Sequence, residues 1–165
     1  SSPLTQPGAS GSDPIPRPAL LLGWAGVIPF VALSAALLAG LEPIREIAVR
    51  GLPGYAAVIL GFMGGVQWGL EMSRPEGQAH AGQPEPWRGG YAVSVLPALL
   101  AAAALLLAPR DALLLLAAGF AGLLLYDLLR TRSGIGPAWY ARLRIALTCA
   151  VLVSLMAAVY ALRAA

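Results

Sequence analysis

The sequence predicts an all-α protein: a polytopic helical bundle in the membrane with about five transmembrane helices. Three observations carry that prediction. Hydrophobic residues make up 58% of 165 positions and the mean hydropathy is +0.74, above what a soluble domain of this size carries. Apolar runs of spanning length recur along the chain, and the segments between them are rich in Pro, Gly and Arg.

Residues 1–18 are Ser-, Gly- and Pro-rich with Asp13 and Arg17 as their only charges, and read as a disordered tail before one membrane domain over 19–165. A secretory signal would have a basic start and a shorter apolar core, so the run 19–41 is taken as the first span. Pro29 lies near its middle and removes a backbone donor. This predicts a kink beside the small residues Gly26 and Ser34, a place for a cavity. From Glu42 to Gly54, Leu41, Ile44 and Ile47 oppose Arg45, Glu46 and Arg50, the pattern of a short amphipathic helix in the interface or of a plain polar loop. Gly51, Pro53 and Gly54 are then expected to turn the chain into the second span, 55–72.

That second span organises the rest. Ala57, Gly61, Gly65 and Gly69 recur every fourth residue and predict a helix-packing groove, since helices in lipid associate through close backbone approach. Leu60 is expected to face lipid. Gln67, Trp68 and Glu71 on the same helix form the candidate polar site.

The segment 73–90 is polar, Pro-rich and solvated, and its lone His80 with Glu76 and Glu85 has no metal-ligand register. The third span, 91–108, carries an alanine face at Ala98, Ala101, Ala102 and Ala104. Pro109, Arg110 and Asp111 make so short a connection that the third and fourth spans form an antiparallel hairpin, with Asp111 as N-cap of the fourth, 112–129. The fifth runs over 138–162 behind Gly136 and Pro137, with Trp139 and Tyr140 at headgroup level. Asp127 closes the fourth span and Arg142 and Arg144 open the fifth, so an ion pair of Asp127 with one of these arginines is predicted. Cys149 lies in an apolar run and reads as a buried small hydrophobe.

All eleven basic residues are arginines, scattered at the ends of apolar runs rather than gathered in a stripe, so nucleic acid is not an expected partner. Counted across five spans, Arg17, Arg74, Arg88, Arg130, Arg132, Arg142 and Arg144 face Arg45, Arg50, Arg110 and Arg163. The excess predicts an N-terminus in the cytoplasm or the mitochondrial matrix.

The segments GWAGVIPF (Gly23 to Phe30), GFMGGVQWGLEM (Gly61 to Met72) and GPAWYARLRIALT (Gly136 to Thr148), in that order, resemble the transmembrane protein 69-like family, the domain of unknown function numbered 3429. The resemblance covers nearly everything from Ala19 to Leu162. It implies a small protein of about five spans in a bacterial inner membrane or a mitochondrial inner membrane. The family pattern often places His before the tryptophan of the glycine-rich motif. This chain has Gln67 there, which speaks against haem or metal ligation at that point.

No Ser-His-Asp set, HExxH motif or phosphate-cradling loop is present, and the glycines of the second span lie inside an apolar run without a preceding strand. The sequence therefore favours a non-catalytic protein without a cofactor: an accessory, assembly or stabilising subunit of a larger respiratory or photosynthetic membrane complex, its partners lipid and other membrane subunits. The alternative is a small-solute transporter or channel using the Gln67/Glu71 region with Ser94 and the Pro29 kink. A third reading, a membrane enzyme or a quinone or haem binder, would use Trp68, Gln67 and Tyr126 as its pocket.

Overall fold

The computed structural model describes residues 14–72, 90–132 and 138–163, and among them all regular structure is helical. Five helices follow in order: α1 (Arg17–Ala39), α2 (Ile44–Met72), α3 (Gly90–Ala104), α4 (Pro109–Arg132) and α5 (Ala138–Ala161). Four of them, all but α3, are long and apolar enough to cross a bilayer. At 15 residues, α3 reaches about 22 Å, short of the ~30 Å hydrocarbon core.

Helix α1 starts two residues earlier than the apolar run, at Arg17, with Pro18 in its first turn, where a missing N–H costs nothing. It ends at Gly40, whose φ of 64° is left-handed and whose N–H reaches the carbonyls of Ala36 (3.1 Å) and Leu37 (3.3 Å). Only glycine takes that cap without strain. The expected turn at Gly51–Gly54 is absent, for α2 continues through Pro53 from Ile44 to Met72. Ala48 and Leu52 are fully buried in the core, so packing holds the first turns in helix and outweighs the bond Pro53 removes. The amphipathic stretch is thus the first part of a 29-residue helix. At about 43 Å it is longer than the hydrocarbon is thick, so its Arg-bearing end extends beyond the hydrocarbon.

Helix α3 stops at Ala104 rather than at 108. Leu106 and Leu107 donate to Ala103 and Ala104 in tight turns, and Ala108 precedes a proline, which disfavours helix. Pro109 then opens α4, whose first bond runs from Ala112 N–H to Ala108 O at 2.8 Å. Asp111 therefore sits in the first turn and is not the cap.

The core lies where Phe30, Leu52, Leu60, Leu113, Leu116 and Leu155 meet. Leu60, expected toward lipid, is fully buried. Phe30 stacks edge-on against Tyr55 (5.0 Å) and Phe120 (6.0 Å), joining α1, α2 and α4. Ser34 Oγ donates to the Ser154 carbonyl at 2.8 Å and ties α1 to α5, and Tyr55 Oη donates to the Gly26 carbonyl at 2.7 Å and ties α2 to α1. On α3 only Ala101 and Ala104 of the alanine face are buried; Ala98 and Ala102 are exposed. Cys149 is also exposed, on the lipid-facing side of α5 and not in the core.

Close backbone approach between α2 and α3 occurs at Gly64. A Cβ there would lie 2.5 Å from the Ser94 carbonyl oxygen and 3.4 Å from Pro97 Cβ. Backbone cannot step aside as a side-chain tip can. Gly64→Ala is therefore expected to destabilise the bundle by roughly 1–3 kcal/mol, while Gly65→Ala, whose Cβ meets nothing within 4 Å, is close to neutral. Thermal unfolding of both variants in detergent checks this, and equal midpoints would remove Gly64 from the packing argument.

Candidate functional site

Three long helices bring polar side chains to one end of the bundle. Gln67 lies five residues before the end of α2, Asp127 five before the end of α4, and Arg144 six after the start of α5. Each is therefore roughly 8–9 Å inside its helix end. All three are buried: Gln67 is 0%, Asp127 4% and Arg144 5% exposed.

A carboxylate buried to this extent has lost its water, so its partners come from the protein. Arg144 Nε donates to Asp127 Oδ2 at 2.9 Å, and Gln67 Nε2 donates to Asp127 Oδ1. Arg130, one turn beyond Asp127 on α4, donates from Nη1 to Gln67 Oε1 at 2.9 Å and also lies over the Tyr126 ring. Gln67 thus uses both ends of its amide, donating and accepting at once, which an ionised glutamate cannot do. The result is one charge-assisted network spanning α2, α4 and α5.

Of the two candidate arginines, Arg144 pairs with Asp127, whereas Arg142 is exposed on another face of α5. Trp68, next to Gln67 on α2, is 45% exposed, whereas Gln67 is fully buried. The Glu71 side chain, His80, Glu76 and Glu85 lie outside the described residues. Ser94 is buried against α2. Of the predicted groove, Ala57 is buried, Gly61 half-buried, and Gly65 and Gly69 exposed. A Cβ on any of these three glycines meets nothing within 4 Å.

Sequence reasoning missed Arg130 as a partner of Gln67, and missed Tyr140 and Thr148, one turn to either side of Arg144 on α5. Tyr140 Oη, Arg144 Nη2 and Thr148 Oγ1 are buried and have no hydrogen-bond partner among the described residues. The signal was present in the spacing 140, 144, 148, a single helical face. Among the described residues no cluster of three His, Cys, Asp or Glu side chains is arranged to hold a metal.

The family profile described as a protein of unknown function, DUF3429, matches residues 15–160. The chain belongs to that family. It is also 39% identical over 145 residues to a protein named Transmembrane protein 69 from Xenopus tropicalis, an alignment that covers 86% of this chain. It covers 53% of the relative, so the chain spans about half the length of the curated protein it matches. No solved structure matches the chain.

Asp127→Asn is expected to destabilise the fold by about 3–5 kcal/mol, because it leaves the Arg144 guanidinium buried without its counter-charge. The pairing is checked by a double-mutant cycle with Arg144→Met and, as control, Arg142→Gln. Coupling to Arg144 alone is the expected outcome; equal coupling to both would mean the charge is shared.

Proposed function

We propose that this member of the family is a non-catalytic integral membrane protein, an accessory, assembly or stabilising subunit of a larger membrane complex, respiratory or photosynthetic. We place it in a bacterial inner membrane or a mitochondrial inner membrane, with its N-terminus in the cytoplasm or matrix by the arginine excess of that side.

The observation behind this reading is the outward face of α2. Val58, Phe62, Gly65, Gly69 and Met72 follow one another at spacings of four and three and are all exposed. Three large side chains thus stand beside a notch in which a Cβ on Gly65 or Gly69 would meet no neighbour within 4 Å among the described residues. A notch of this kind gains dispersion contact only from another helix backbone, and helix pairs in lipid associate by that means. Five helices leave it unused, which favours an occupant from a different chain.

The transport alternative finds less support. Gln67, its central residue, is buried with both ends of its amide engaged by Asp127 and Arg130. Opening a path there means breaking the bonds that hold α2 to α4.

Extraction from native membranes into nanodiscs, native-gel separation and mass spectrometry test the proposal. Stoichiometric recovery with a larger complex is expected, and Gly65→Leu combined with Gly69→Leu is expected to abolish that recovery without altering the thermal midpoint of the isolated chain. Recovery of the wild-type chain alone would overturn the accessory role.

A further inference from the structure

Arg144 belongs to two places at once. One edge of its guanidinium, Nε, is bound to Asp127, while Nη2 is buried and unpartnered. The same residue lines a half-open pocket of about 150 Å³ between α1, α2 and α5, with Phe120 of α4 also in its lining. Thr148, one turn further along α5, lines it too, and its buried Oγ1 has no partner either. The remaining wall is apolar, with Gly26 and Phe30 from α1, Phe62 from α2 and Val151 from α5.

Unsatisfied buried donors in a hydrocarbon environment are costly. Two of them on one face of α5, beside an apolar cavity, call for an acceptor oxygen. The position narrows its source. Arg144 and Thr148 are six and ten residues from the start of α5, hence roughly 9 and 15 Å below that end, beneath the level of phospholipid headgroups. The acceptor must arrive on a molecule whose polar end enters the hydrocarbon. Charge narrows it further. The Asp127 carboxylate already faces Arg144 at 2.9 Å, and a second carboxylate at Nη2 would meet it as a like charge in low dielectric. A neutral carbonyl meets no such repulsion. Size agrees, since an apolar cavity of about 150 Å³ takes a single benzene-sized ring.

We propose that this cavity binds a lipid-soluble molecule with a neutral carbonyl-bearing ring, the chemical class of the membrane quinones. The ring lies among Phe30, Phe62 and Phe120, its carbonyl oxygen accepts from Arg144 Nη2 and Thr148 Oγ1, and its tail leaves between the helices into the bilayer. The site shares Phe62 with the outward face of α2 but none of the glycines of that face, and it holds whether or not a partner complex is recovered.

Saturation binding of decyl benzoquinone to the protein in phosphatidylcholine nanodiscs tests the proposal, with empty nanodiscs subtracted and oleate as the competing carboxylate. The expected result is one saturable site that oleate does not displace. Thr148→Val keeps the shape of the side chain and removes one donor, and should weaken binding about fivefold while the thermal midpoint without ligand is equal to or above that of the wild type. Gly26→Leu, at a position where a Cβ has no atom closer than 4.0 Å, should fill the cavity and abolish binding. No saturable binding above empty nanodiscs, equal affinity in wild type and both variants, or displacement by oleate at equal or better affinity would each overturn the assignment.

Discussion

A carboxylate on the fourth helix, buried a turn and a half below the bundle's end, constrains much of the rest of the structure. Asp127 is tolerable there only if the protein supplies cationic and amide donors at that depth. Arg144 and Gln67 do so from α5 and α2. Because each donor has a short reach, their bonds fix the rotation and the vertical register of three helices together. Hydrophobic packing alone does this poorly in lipid, where sliding or turning a helix exchanges one apolar neighbour for another. The network thus supplies the register specificity that burial supplies in a soluble bundle.

The same reasoning explains how much was legible in the sequence. Helix number and rough position could be read because a span needs a long apolar run and the connections need Pro, Gly and charge. Which face of a helix turns inward could not be read from apolar periodicity, since lipid and core accept the same residues. The error at Leu60 and the choice of Gly65 over Gly64 both follow from that. Polar residues hold the missing phase. Gln67 faces inward, and the positions three and seven residues before it, Gly64 and Leu60, are the ones packed against neighbours. On α5 the buried series Arg144, Thr148, Val151, Leu155 and the exposed series Arg142, Ile145, Cys149, Val153 interleave at helical spacing. Following Thr148 would have selected Arg144 over Arg142.

Glycine therefore has two roles here that composition cannot separate. Gly64 faces the Ser94 backbone and so sets how closely α2 and α3 approach, while a Cβ at Gly23 or Gly119 would meet leucine methyl groups at 2.8 Å. At Gly61, Gly65 and Gly69 a Cβ would meet nothing within 4 Å among the described residues. A small-residue motif at regular spacing reveals a surface without large side chains, and only the phase set by Gln67 tells whether that surface is spent on the chain's own fold.

The polar network and the cavity beside it are linked by the shape of one side chain. A lysine at position 144 would present a single ammonium point, and its bond to Asp127 would leave little geometry for a second direction. The planar guanidinium instead fixes Nη2 once Nε is engaged. Locking the register of α5 against α4 therefore also fixes where the unpartnered Nη2 sits, on a residue that lines the pocket shared with α1 and α2. Stability and recognition then draw on the same residue, so the donor at the cavity is as well positioned as the fold itself.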